Sequence, residues 1–259
     1  MRAAVLGSPV AHSLSPRLHR AAYAALDLDW TYDAIDLPAE GLRSFLEGLD
    51  SQWVGLSLTM PLKSAVLPLL DTCSELARAV AAANTVVLRD GLRHGHNTDV
   101  AGIVTALRER GVGAPERVVV LGGGATARSA LAALAELGCR HPILVVRSSP
   151  TATLAAASRL GVHPDVRALS AEVFEGCGLV VSTLPAGAGD TAAGYVRDVP
   201  ALLDVVYDPW PTALAAACRG TVVGGAEMLL HQAAAQVELM TGLAAPVEAM
   251  REALADLKA

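Results

Sequence analysis

The run Val118-Val119-Val120-Leu121 passes directly into Gly122-Gly123-Gly124-Ala125-Thr126-Ala127, and no other feature limits the possible folds as much. Four consecutive apolar residues, three of them β-branched, read as a strand buried on both faces, as in parallel α/β sheets. The residues after it satisfy G-x-G-x-x-A at a strand-to-helix turn. Gly122 permits the tight turn and Gly124 lets backbone N–H groups approach a pyrophosphate. Ala127 is small enough for the helix to close on the strand, with the helix N-terminus facing the phosphates. Gly123, Ala125 and Thr126 complete this candidate dinucleotide cradle. A glycine-rich turn without a ligand is the alternative reading of the motif alone.

Similar apolar runs follow at Ile143 to Val146, Leu179 to Thr183, Leu203 to Tyr207 and Thr221 to Val223, so five strands of a doubly wound domain are expected. The first hundred residues differ. Ala3 to Leu6, Thr31 to Asp36 and Val54 to Thr59 each precede a helical pattern, starting at Pro16, Ala39 and Pro61. Thr85 to Arg89 and Leu92 to His96 then flank Asp90-Gly91, a hairpin signal, so this sheet is mixed. A helix from near Asp99 and the turn Gly111 to Pro115 link the halves. The helical stretches Glu227 to Met240 and Pro246 to Lys258 have no strand of their own and are expected to pack back on the first half. The expectation is an α/β protein: a mixed-sheet substrate domain over residues 1–100, completed by 226–259, hinged to a doubly wound, Rossmann-type dinucleotide-binding domain over 101–225.

Composition narrows the partner. Of 259 residues, 53% are hydrophobic and 18% charged, enough apolar material for a core. A net charge of -6 argues against a nucleic-acid backbone as the partner and favours a small molecule. Cys73, Cys139, Cys177 and Cys218 are far apart, which suits reduced thiols better than disulfides or a metal site. The N-terminal run is broken by Gly7 and Pro9, too soon for a signal-peptide core, and no apolar stretch has membrane-spanning length. The expected state is cytoplasmic, as a monomer or homodimer, without metal, membrane or nucleic acid.

Candidate site residues lie at the element ends. Where NAD-preferring folds place a carboxylate after the second strand, this sequence has Arg147-Ser148-Ser149; a guanidinium and hydroxyls can hold a 2′-phosphate, which implies NADP(H). A solvated Arg147 is the other reading. Ser15, expected as an N-cap before Pro16, shares its approach loop with His12 and Ser13, and two hydroxyls beside a helix start suit a carboxylate. His19 reads as a packed side chain. Thr59 ends a strand and Lys63 lies in the first turn of the next helix, where the disfavoured cation suits a lysine that gives up a proton; a solvated surface lysine is the usual alternative. Asn84-Thr85 opens the hairpin and Asn97-Thr98-Asp99 closes it at the same sheet edge, with Asp99 either a working carboxylate or a helix cap.

Read together, these segments resemble shikimate dehydrogenase. The stretch Gly7 to Pro16 with His19 is similar to the family's G-x-P-x-x-H-S-x-S-P-x-x-H, and Thr59-Met60-Pro61-Leu62-Lys63 to its T-x-P-x-K. Asn84-Thr85, Asn97-Thr98-Asp99 with Gly102, Tyr207-Asp208-Pro209 with Thr212 and Leu214, and Met228 to Ala233 with Gln232 continue the likeness. The resemblance implies NADPH-dependent, reversible reduction of 3-dehydroshikimate to shikimate in aromatic amino acid (chorismate) biosynthesis. It implies Lys63 as the proton-transfer residue with Asp99 beside it. Ser13, Ser15, Thr59, Asn84, Tyr207 and Gln232 would hold the cyclohexene acid, with Gly225 near the nicotinamide. A quinate or aminoshikimate dehydrogenase and a non-catalytic ligand sensor are the rival readings. The chain departs from the family's usual pattern at Ser57, where asparagine is common, at Gly123 and Ala125, and in keeping only the first of two arginines around Arg147.

Overall fold

A computed structural model describes residues 1–113 and 115–255. Ala114 of the expected turn and residues 256–258 of the expected last helix lie outside the described residues. The chain divides into two compact units, Met1–Thr98 with Leu229–Ala259, and Asp99–Met228. Among the described residues no helix is long and apolar enough to cross a membrane.

The first unit runs β1 (Arg2–Gly7), α1 (Ser15–Ala25), β2 (Thr31–Asp36), α2 (Leu42–Glu47), β3 (Trp53–Leu58), α3 (Leu62–Ala65), β4 (Thr72–Cys73), α4 (Glu75–Val80), β5 (Thr85–Arg89) and β6 (Leu92–His96). Its sheet has the order β2-β1-β3-β5-β6-β4. β1 is parallel to β2 and β3, whereas β5 is antiparallel to both β3 and β6. β1 and β3 are buried on both faces, consistent with their mainly apolar sequences, Ser57 being the one polar residue within β3. The hairpin turns through Asp90 and Gly91, both at positive φ, the type I′ geometry that a D-G pair favours.

Local expectations shift in four places. Ser15 is the first helical residue and not the cap: Leu14 already has helical dihedrals, and the Ser13 hydroxyl accepts the Ser15 N–H at 3.3 Å. The stretch from Ala39 opens as a single 3-10 turn, Ala39–Gly41, before α2. α3 is one turn of four residues, too short for the helix field invoked for Lys63. β4, two residues long, is too short to leave a periodic signal and exists by pairing with β6.

The second unit continues with α5 (Asp99–Glu109), β7 (Val118–Leu121), α6 (Ala125–Glu136), β8 (Ile143–Val145), α7 (Thr151–Arg159), β9 (Asp165–Arg167), β10 (Leu179–Ser182), β11 (Ala201–Asp204), α8 (Ala213–Ala217) and β12 (Thr221–Gly224). The strands form one parallel sheet, β12-β11-β10-β7-β8-β9. Six strands replace the expected five because β9 is an exposed, charged edge without an apolar run. The strand expected over Leu203 to Tyr207 lies earlier, at Ala201–Asp204. The buried Asp204 carboxylate accepts from the Val206 N–H and the Thr212 hydroxyl, so the backbone turns away there.

The chain then enters α9 (Gly225–Thr241) and α10 (Val247–Ala255). From Leu229 on it belongs to the first unit, where Leu230, Ala233, Val237 and Met250 pack with Leu18 and Ala22 of α1. Beneath that seam His19 is fully buried and stacked on Tyr32, ring centroids 4.0 Å apart. Its Nε2 faces Gln236 Oε1 at 3.2 Å and so carries the proton, leaving Nδ1 to accept from the Tyr23 hydroxyl at 3.4 Å.

Burial holds the His19 imidazole at about 4, below its ordinary 6.5, with the Gln236 hydrogen bond opposing part of that shift. The fold therefore excludes the charged ring. Its contribution is complete above pH 6.5 and lost as pH falls from 6.5 towards 4, a difference of order 3 kcal/mol at ~1.4 kcal/mol per unit. Urea unfolding across that range should show a shallower acid decline in His19→Asn than in the parent. Equal declines would assign the acid sensitivity to other groups.

Candidate functional site

In the first unit, sheet polarity gathers the candidate residues. β1 and β3 end, and the antiparallel β5 begins, at the same edge. The Thr59 N–H donates to Leu6 O at 2.9 Å, the Leu58 N–H to Asn84 O at 2.7 Å, and the Ala83 N–H to Lys63 O at 2.8 Å. The loop bearing Ser13, and then Ser15 as the first residue of α1, follow β1; Thr59 and Lys63 follow β3, and Asn84 precedes β5. Ser15 is buried, whereas Ser13, Thr59 and Lys63 are half-buried.

Asn84 is the most constrained of these side chains. Its Oδ1 accepts from the Thr98 N–H at 2.8 Å and the Thr85 hydroxyl at 2.9 Å, so Nδ2 faces Gln232 Oε1 at 3.0 Å and Thr98 Oγ1 at 2.9 Å. Gln232, on α9, is held in turn by its own Nε2, which donates to Leu229 O at 3.2 Å. Hydroxyl, amide and lysine side chains thus meet at this edge, a polar set suited to a small oxygen-rich acid. Thr98, Tyr32, Ser57 and Gln236 also enter this network, and sequence reasoning assigned them no binding role. Gln236 carried a usable signal, lying four residues after Gln232 on the same helix face. Tyr32 carried none.

In the second unit the glycine turn adopts the geometry its residues require. Gly122 has φ 104, and a Cβ there would lie 2.6 Å from the Thr183 hydroxyl. Gly124 precedes α6 with open space where a Cβ would point, so backbone N–H groups are accessible at the N-terminus of a 12-residue helix. Ala127 is fully buried against the sheet, and Ala125 and Thr126 occupy the first turn. A cavity of about 500 Å³ is lined by Gly122, Gly123, Arg147, Ser148, Leu169 and Leu184, with Arg147 exposed at the end of β8. The strand order reverses between β7 and β10, the switch point where such sheets bind ligands.

On the other side of that point, Tyr207 follows β11 and Gly225 follows β12. The Gly225 N–H donates to Val206 O at 3.3 Å, and a Cβ on Gly225 would collide with the Val205 carbonyl oxygen. Asp204 sets this loop. Burial raises its carboxyl pKa, while hydrogen bonds from Thr212, Val206 and Ser182 oppose the rise. Asp99 is buried as the first residue of α5. Among the described residues no cluster of three His, Cys, Asp or Glu groups could hold a metal ion.

Comparisons with known proteins agree with one another. Residues 5–86 match the family model described as the shikimate dehydrogenase substrate binding domain, and residues 225–255 match the shikimate 5'-dehydrogenase C-terminal domain. Shikimate dehydrogenase (NADP(+)) of Salinibacter ruber is 37% identical, covering 96% of this chain and 95% of that protein. The crystal structure of Mycobacterium tuberculosis shikimate dehydrogenase is similar at TM-score 0.91 and 45% identity over 99% of both chains. The Thermus thermophilus shikimate 5-dehydrogenase structure in complex with NADP(H) and shikimate has TM-score 0.86 and 34% identity, again over 99% of both. With near full-length likeness to these proteins and the expected motifs at one sheet edge and one glycine turn, this chain belongs to the shikimate dehydrogenase family.

Proposed function

We propose that this chain catalyses the reversible NADP(H)-dependent reduction of 3-dehydroshikimate to shikimate, a step of chorismate biosynthesis. The supporting observation is the convergence of Ser13, Ser15, Thr59, Lys63, Asn84 and Gln232 at one edge of the mixed sheet. The first compact unit is the substrate domain and the second the cofactor domain. Four free cysteines support a reducing, cytoplasmic setting.

The glycine turn suits the cofactor, because Gly124 leaves open the space that a side chain would fill. When bound there, NADP(H) supplies or accepts the hydride. Gly122 to Ala127 hold the pyrophosphate, Arg147 and Ser148 hold the 2′-phosphate, and Gly225 gives the nicotinamide close backbone approach. Ser13 and Ser15 bind the substrate carboxylate; Thr59, Asn84, Tyr207 and Gln232 bind its ring oxygens. Lys63 donates a proton to the oxygen that becomes the alcohol and takes it back in the reverse direction. Asp99 accepts a hydrogen bond from the neighbouring substrate hydroxyl.

Initial rates with shikimate and quinate, each with NADP⁺ and NAD⁺, test this reading. The shikimate and NADP⁺ pair should be preferred, and faster turnover of quinate would overturn the substrate assignment. Charge-assisted hydrogen bonds contribute ~1.5 to 3 kcal/mol, so Arg147→Ala should weaken NADP⁺ binding roughly ten- to a hundredfold and leave NAD⁺ nearly unchanged. Equal losses would remove Arg147 from the phosphate site.

Lys63→Met should bind shikimate and melt like the parent, with kcat lower by the ~10² to 10⁴ of a lost general acid. Asp99→Asn should lower kcat and also raise KM for shikimate, since it keeps the shape but loses the charge. A Lys63→Met enzyme within a few-fold of parental turnover would refute the proton role.

A further inference from the structure

Beneath the candidate substrate edge, five side chains form a continuous hydrogen-bonded relay within the first unit. Ser15 lies beside the phenol of Tyr32, at one end of this relay. The Tyr32 hydroxyl donates to Ser57 Oγ at 2.6 Å, and the Ser57 hydroxyl donates to Gln236 Oε1 at 2.8 Å. Gln236 Nε2 donates to Thr85 Oγ1 at 3.0 Å, and Thr85 Oγ1 donates to Asn84 Oδ1 at 2.9 Å. These five residues and Ser15 are buried, none more than 4% exposed. Each donor direction is therefore set by its neighbour and not by bulk water.

We propose that Tyr32, Ser57 and Gln236 are positioning residues that hold the Ser15 hydroxyl and the Asn84 amide in fixed relation. This rests on the reading of Ser15 and Asn84 as substrate ligands. Asn84 ends the relay and Ser15 stands beside its other end; the four residues between them, Tyr32, Ser57, Gln236 and Thr85, sit on β2, β3, α9 and β5. A region needing only packing is served as well by apolar side chains, since buried polar pairs contribute little net stability and cost much when half satisfied. An amide also has a direction to defend. Thr85 and the Thr98 N–H occupy Asn84 Oδ1, which turns Nδ2 to the Gln232 side. Thr85 is held for that task by Gln236, whose Nε2 also donates to the Asn84 carbonyl at 3.1 Å. Gln236 is held by Ser57 and by His19. Ser57, a position where this chain departs from the family's usual asparagine, thus couples the two ends, and Tyr32 passes that constraint to Ser15.

The test is a double-mutant cycle of Tyr32→Phe and Ser57→Ala, read by steady-state kinetics and thermal melts. Tyr32→Phe keeps the ring stacked on His19 and removes only the phenol oxygen. Each single variant should raise KM for shikimate about three- to tenfold, with kcat and KM for NADP⁺ held within about twofold. The double variant should be no worse than the larger single effect, because both cuts break the same line. Independent multiplication of the two effects, or an equal rise in KM for NADP⁺, would overturn the relay. Ser15→Ala separates the levels. If it raises KM for shikimate while Tyr32→Phe and Ser57→Ala do not, the relay alone fails. If it has no effect, the relay fails together with the substrate reading beneath it.

Discussion

The reversal of strand direction between β3 and β5 is the constraint on which the candidate substrate edge depends. In a purely parallel arrangement, residues preceding a strand and residues following one lie at opposite ends of the sheet. Here β5 runs against β3, so Asn84, which precedes its strand, stands beside Thr59, which follows its own. The hydrogen bond from the Leu58 N–H to Asn84 O is the point of contact. The hairpin returns the chain through β6 to Asn97 and Thr98 at the same edge, where the Asn97 amide donates to Ala82 O at 3.0 Å. One inverted strand therefore multiplies the polar groups available at one end.

The second unit uses the opposite device. Its sheet is wholly parallel, and diversity at the ligand end comes from the order of the strands. β7 and β8 deliver the glycine turn and Arg147 on one side of the switch point; β11 and β12 deliver Tyr207 and Gly225 on the other. The central strands are mostly Val and Leu because burial is their main requirement, with Ser182 at the end of β10. Chemistry is left to the loops, and buried Asp204 shows the cost: a carboxyl raised by desolvation is retained because it organises the loop carrying Tyr207.

α9 shows how one helix can serve both packing and polarity. Its apolar positions Leu230, Ala233 and Val237 seal against α1, while Gln232 and Gln236, one turn apart, face the sheet as amides. An amide donates and accepts at once, so Gln236 can satisfy Ser57, His19, Thr85 and the Asn84 backbone together. Among the described residues no buried side-chain N or O atom lacks a partner. A network in that state has few alternative arrangements, which is what a binding edge requires of the layer beneath it.

By itself the sequence determined what depends on local chemistry and periodicity. It includes the glycine turn, the I′ hairpin at Asp90-Gly91, the mainly apolar runs of the central strands and the motif residues at strand ends. Each is legible because neighbouring residues impose it through sterics, backbone conformation or burial on both faces. Tertiary structure alone decided what depends on partners distant in sequence. β4 and β9 exist only by pairing with neighbours; Ser15 joins α1 while the Ser13 hydroxyl accepts its N–H; α3 is a single turn. The relay linking Tyr32, Ser57, Gln236, Thr85 and Asn84 was equally hidden, because it joins side chains as far as 179 positions apart. A hydroxyl or an amide leaves no periodic trace of where its hydrogen bond goes; that is set when the sheet and α9 close on one another.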